Sequence, residues 1–256
     1  MNSPIRNDPV GDRYFTPLRT VDMWSSVLFV GSALLSFAAL FVTEGPWRNG
    51  VLIAFVILVL SNFVLGFYLR LTLAPKAEEM RRRDLLSDAY SVNLTHENAT
   101  GYFNNDETNP IRRLAASIME SSFFTRSISG EMLKIERFKI AVYFLLWMIA
   151  VLVRSIDLSW IAVATQTIFS EQILSKWLRL EWLNRKCETV YDRLQRLVTT
   201  ANTFDNKNTH AQVLECFSEY ESIKSRATIV LSDRIFRKKN PSLSKEWDRI
   251  RNSVGL

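Results

Sequence analysis

Apolar residues along the chain fall into blocks. Met23–Thr43 is a run of 21 residues without a charge, closed by Asp22 and Glu44, and Val51–Leu69 is a second of 19, ended by Arg70. A bilayer core of about 30 Å takes about 20 helical residues, so both runs predict spanning helices. Mixed polar residues precede the first run, and Thr43-Glu44-Gly45 is not a small-x-small cleavage site. The pattern therefore predicts a retained anchor and no cleaved signal peptide. Two shorter uncharged runs follow, Ile140–Val153 with 14 residues and Leu158–Ser170 with 13. Fourteen residues rise only about 21 Å, which also fits buried soluble helices or a re-entrant hairpin. Two features favour full spans: the long stems of Lys139 and Arg154, and the aromatic residues Phe138, Tyr143, Trp160 and Trp177 near the expected boundaries.

Elsewhere the pattern is helical and mixed. Helix two continues inward through KAEEMRRRDLLSDAY with a kink near Pro75, followed by the polar connection VNLTHENATGYFNNDETN. Asn109 is placed to cap a helix with Pro110 at its first position. Leu114, Ile118, Met119 and Phe123 make its apolar face, and Gly130 is the expected break before the bilayer. Leu174, Trp177, Leu178, Leu183, Val190, Leu194, Leu197 and Val198 predict a long helix that TFDNKNTH ends. A second amphipathic segment runs from His210 to about Phe236, and Pro241 starts a short terminal helix. No stretch alternates as a strand would. The expected fold is all-α, an integral membrane protein with four transmembrane helices in two hairpins and a helical cytoplasmic domain. Its segments are 1–22 (cytoplasmic), 23–69 (first hairpin), 70–137 (cytoplasmic insert), 138–172 (second hairpin) and 173–256 (cytoplasmic, C-terminal).

Charge sets the orientation. The hairpin tips carry one cation each, Arg48 and Arg154, while the other side carries Arg13, Arg19, Arg70, Arg81–Arg83, Lys134, Lys176 and more. The positive-inside rule then places both termini and the middle loop in the cytoplasm. The sequons at Asn93 and Asn98 fall in that loop and read as chance matches. Two cysteines, Cys187 and Cys216, give no disulfide framework and no metal site. With two histidines, His96 and His210, and no HExxH, GxSxG, Walker A or GxGxxG, nothing points to an enzyme, a metal or a cofactor.

Three segments carry candidate chemistry. In VATQTIFSEQIL, Gln166, Thr167, Ser170 and Glu171 fall within an arc of about 140° on one helix. Polar side chains in a bilayer face protein or water, so this face lines a pore or hydrogen-bonds between helices. One chain of four helices is too narrow for a channel; several copies would bring Gln166 and Glu171 into rings. In GYFNND, Tyr102 and Phe103 are placed to stack a base while Asn104 and Asn105 read its edge, or else the aromatics pin the loop to neighbouring helices. From Glu171 onward there are 16 Lys and Arg against 11 Asp and Glu. Arg234, Arg237, Lys238 and Lys239, far from any span in sequence, make either a phosphate-attracting end or a solvated basic tail.

The two hairpins, MWSSVLFVGSALLSFAALFV with VLIAFVILVLSNFVLGFYL and IAVYFLLWMIAVLV with LSWIAVATQTIFS, flank a helical insert and precede the long helix EQILSKWLRLEWLNRKCETVYDRLQRLV. This arrangement resembles the four-transmembrane effectors encoded beside SMODS-type nucleotidyltransferases in bacterial antiviral systems, including Hailong-like operons. The likeness is architectural and carries over no site residues. It implies an inner-membrane, homo-oligomeric pore-forming effector, with a tetramer as first expectation. Its gate would answer to a nucleotide or oligonucleotide made by the neighbouring enzyme, and its opening would depolarise the cell during phage infection. The alternative class is a non-conducting membrane scaffold or sensor that recruits a cytoplasmic partner.

Overall fold

The computed structural model describes residues 8–42, 45–96, 103, 105, 107–152, 157–168, 170–201 and 203–256. Every regular element among them is helical. They are α1 (Thr16–Phe41), α2 (Pro46–Tyr68), α3 (Ala74–Tyr90), α4 (Pro110–Leu152), α5 (Leu158–Ile168), α6 (Lys176–Thr200), α7 (Lys207–Ala227) and α8 (Asp233–Val254). Single π-helical turns at Gly11–Phe15, Leu69–Leu73 and Glu171–Ser175 lead into α1, α3 and α6. Two continuous helices, Gly11–Phe41 and Pro46–Tyr90, are long and apolar enough to cross a membrane.

The first hairpin follows from local chemistry. Gly45 sits at φ +93°, open to glycine and strained for other residues, and Pro46 starts α2 where its missing N–H costs nothing. The predicted kink near Pro75 is a π turn at Leu69–Leu73, and a second π turn at Gly11–Phe15 precedes Pro17 in the same way. A proline ring clashes with the carbonyl four residues back, and one wider turn relieves that clash without ending the helix. Ser25 Oγ donates to Asn62 Oδ1 at 2.7 Å, joining α1 to α2 through polar atoms inside the hairpin.

The second hairpin lies along the first. The Trp160 ring packs 4.9 Å from that of Phe41 and 6.0 Å from that of Phe37, at the C-terminal end of α1. Gln172 Nε2 donates to Ser25 Oγ at 3.0 Å in the N-terminal half of that helix. Ser25 and Phe41 are sixteen residues apart, so the contacts cover about 24 Å of α1. Trp147 Nε1 donates to Thr165 Oγ1 at 2.8 Å and ties α4 to α5.

Below the hairpins, α3, the first half of α4, α6, α7 and α8 form a helical bundle. Leu114, Ile118, Met119 and Phe123 of α4 pack with Leu180 and Leu194 of α6, Val213 of α7 and Trp247 of α8, all nearly free of solvent. The Phe123 ring sits 5.9 Å from that of Trp247 and 6.0 Å from that of Tyr191. Asn109 caps α4 as expected, its Oδ1 accepting from the backbone of Ile111 and Arg112 at 3.0 and 3.2 Å.

Three expectations need correction. Gly130 does not break the chain: α4 runs 43 residues from the core to the apolar hairpin. A lone glycine costs a helix about 1 kcal/mol, and the packing of Ile128 and Leu133 on either side offsets it. The last helices also divide elsewhere. α7 ends at Ala227, where Thr228 turns left-handed at φ +48°, and an extended strap follows to Ser232. Ser232 Oγ then accepts from the Ile235 N–H at 3.4 Å to cap α8. Pro241 lies inside α8 and does not start it. Finally, the basic cluster on α8 is not far from the spans. Arg19 at the foot of α1 pairs with Asp233 at 3.3 Å, which brings the start of α8 to the base of the first hairpin.

Candidate functional site

A cleft of about 930 Å³ opens where the helical bundle meets the base of the hairpins. Its walls come from the segment before α1, from α3, α4 and α7, and from the strap Thr228–Ser232 with the start of α8. Aromatic rings line it: Phe15, Phe103, Phe124, Tyr220 and Phe236. The volume falls in the range of small-molecule sites.

Several of its charged residues are paired. Lys224 Nζ lies 2.8 Å from Glu78 Oε2 and 2.9 Å from Glu221 Oε1, so one ammonium serves two carboxylates and joins α7 to α3. Burial disfavours charge on Lys224, but the carboxylates of Glu78 and Glu221 outweigh it and raise its pKa. Burial also raises that of Glu221, whose share of the single lysine does not fully compensate. Beside them Tyr220, raised by burial, meets Thr125 Oγ1 at 3.2 Å. Arg81 spans Asp8 at 2.8 Å and Asp84 at 3.3 Å. Asp8 also accepts from the Gly11 N–H at 2.9 Å, and a Cβ on Gly11 would lie 2.5 Å from that carboxylate. At the mouth Asp233 holds both Arg19 and Arg237, at 3.3 and 2.8 Å. Five Lys or Arg and five Asp or Glu line the cleft, so it carries no excess of positive charge.

The strap has a second role. Thr228, Ile229 and Val230 also line a small polar cavity of about 30 Å³ with Asp22, Ser25, Gly66 and Gln172 at the foot of the spans. Val230 packs there on the cluster of Leu18, Leu69, Ala74 and Ala77. One five-residue segment is thus a wall of the cleft and a contact of the membrane base.

Of the ligand candidates, the structure brings Phe103 and Arg237 to this cleft. Asn105 is buried, its Nδ2 donating to Ser117 Oγ at 2.9 Å, which is a structural role. Tyr102 and Asn104 lie outside the described residues. Arg234 and Lys238 are exposed and do not line the cleft, and Lys239 pairs with Glu131 at 3.1 Å.

The pore candidates fall on both sides of a break, since α5 ends at Ile168 and the π turn begins at Glu171. A 100° projection across that break loses its meaning. Gln166 is exposed on α5, in line with exposed Ser159 and Ala162. Thr167 donates to the Val163 carbonyl of its own helix at 2.9 Å. Ser170 Oγ is buried with no hydrogen-bond partner among the described residues, and the Glu171 side chain lies outside them.

Lys224 and Glu78 were not singled out from sequence, and Arg81 counted only as part of the basic run Arg81–Arg83, yet a signal existed. Lys224 sits in the stripe Val213, Cys216, Tyr220, Ile223 and Ala227 that buries α7, where a lysine needs a partner. Among the described residues no group of three or more His, Cys, Asp or Glu is placed to hold a metal. Searches of family models, curated proteins and solved structures find no match to the chain.

Proposed function

We propose that the chain is an oligomeric membrane effector of the ion-channel type, with four spans per copy and a conducting path next to α5. Occupancy of the cytoplasmic cleft sets its state. The observation that carries this reading is Gln166. Within the uncharged runs of α1, α2 and the upper part of α4 the large exposed side chains are apolar, such as Leu34, Phe63 and Leu146, as lipid requires. Beyond exposed Leu158 at its start, α5 instead exposes the stripe Ser159, Ala162 and Gln166. A side-chain amide facing hydrocarbon costs about 2–7 kcal/mol, so a second copy or water covers this stripe. The 24 Å over which α5 and its π turn follow α1 supports full spans for the second hairpin. Continuity of α2 with α3, and of α4 from core to hairpin, gives a route from cleft to membrane. The strap shared by both cavities gives a second. A ligand shifts the spans only by as much as it prefers one packing of these elements. A bacterial inner-membrane setting, a role in phage defence and a nucleotide-type signal rest on the architectural resemblance.

The test is ion flux from liposomes holding the purified chain, with ATP and a short single-stranded oligonucleotide as probes. Wild-type vesicles leak in at least one ligand condition, Gln166→Leu lowers the flux at least tenfold, and Glu171→Gln changes cation selectivity. Vesicles that stay tight under every condition overturn conduction and leave the scaffold reading, which tolerates Gln166→Leu with Glu171→Leu. Gln166→Cys adds the copy number, because the native Cys187 and Cys216 are buried and cross-linking starts from a clean background.

A further inference from the structure

The fold moves the basic cluster of α8 to a place the sequence order conceals, and we propose that Arg234, Arg237 and Lys238 form a docking surface for anionic phospholipid headgroups. Two independent ladders give its depth. Arg19 precedes the apolar run at Met23 by four residues, about 6 Å of helix, and is paired with Asp233 at 3.3 Å. The headgroup layer of one leaflet is about 5–8 Å deep, so α8 starts inside it. On the other side, Lys239 pairs with Glu131, nine residues or about 14 Å below the apolar run that begins at Ile140. Asp233 and Lys239 are six residues apart, about 9 Å, so the two estimates agree within a few ångströms. α8 then descends along the bundle, since Arg112 at the start of α4 donates to the Gly255 carbonyl.

Arg234, Arg237 and Lys238 therefore stand between these two levels, at the rim of the membrane. Arg234 and Lys238 are exposed, and the Arg237 side chain is 78% exposed although it touches Asp233. Their stems add several ångströms of reach, and the Debye length at physiological salt is about 8 Å. Beside them Arg19 and Lys176 at the foot of α1 and α6 are neutralised by Asp233 and Asp22, so the outward charge is that of Arg234 and Lys238 with exposed Arg237. Arg234 and Lys238 do not line the cleft, and Arg237, which does, is held there by Asp233 and is otherwise exposed. Each cation held at an anionic surface favours the docked state about fivefold. Docking would brace the first turns of α8, and through Asp233 and the strap it would bias the cleft mouth toward the packing described.

This rests on α1 crossing a bilayer and not on conduction. The experiment is hydrogen exchange on the full chain in nanodiscs of pure phosphatidylcholine and of a phosphatidylglycerol-rich mixture. Amides over residues 234–240 exchange at least fivefold more slowly with phosphatidylglycerol, high salt removes the difference, and Arg234→Gln with Lys238→Gln abolishes it. These substitutions leave the Asp233 pairs in place, and unchanged exchange over residues 114–123 shows that the fold holds. Equal rates in both lipids overturn the proposal. So does protection that arises only when a single-stranded oligonucleotide is added to phosphatidylcholine discs, which would assign the surface to a soluble phosphate ligand. A chain that fails to enter nanodiscs overturns the spanning reading, and the surface with it.

Discussion

Lys224→Met tests the polar floor of the cleft. The lysine side chain is 14% exposed, and its partners Glu78 and Glu221 are 24% and 10% exposed, so the trio belongs with buried ion pairs. Removing the ammonium leaves two carboxylates facing each other without the cation that both contact, and only the more distant Arg82 acts on Glu221. Breaking a buried pair in this way costs about 3–5 kcal/mol, and the partial exposure of Glu78 places this site near the lower end. The loss depends on pH with a definite sign. Burial already holds the Glu221 carboxyl above its ordinary 4.5 with Lys224 present, and it stays raised when the lysine is gone. A folded-state value above the unfolded one means that the native state binds the proton more tightly. The variant therefore regains stability as pH falls through the raised value toward 4.5. Denaturant unfolding in detergent, followed by tryptophan fluorescence, reads this directly. A loss of about 3 kcal/mol near neutral pH should shrink steadily as pH falls toward the ordinary carboxylate range. Adding Glu221→Gln should recover a similar share at neutral pH, because it removes the buried charge. A variant within about 0.5 kcal/mol of wild type, or a loss independent of pH, would refute the assignment of Lys224 as the shared counter-ion.

Two further outcomes probe the bundle that supports the cleft. Trp247→Ala opens a hole against Phe123 at a position 1% exposed, and unfolding should show a loss of about 3–5 kcal/mol. Burial pushes the Cys187 thiol up to about 12, so at neutral pH it stays protonated behind the core. Alkylation of Cys187 in the native chain should lag the denatured chain by orders of magnitude, and equal rates would show that the α6 core opens readily.

Much of the architecture was legible because it is local. Long uncharged runs, an Asn-Pro helix start and a missing strand pattern report the chain's own hydrophobicity and backbone chemistry. The candidate site was less legible. Phe103 and Arg237 were picked out by residue type, but the reason they belong together is that the α3–α4 connection and α8 meet across the bundle. Periodicity also does not register the bend at Ser170 and the π turn after it, so a 100° projection over Gln166–Glu171 does not carry across that break.

Hydropathy and charge along the chain determined that the protein is helical and that at least two helices suit a bilayer. Both follow from near neighbours and from the solvent a segment prefers. Only tertiary packing decided which charges neutralise one another, where the cleft lies, and that α8 returns to the foot of α1. Those outcomes depend on pairs such as Arg19 with Asp233, separated by most of the chain and brought together by burying Trp247 and the apolar face of α7.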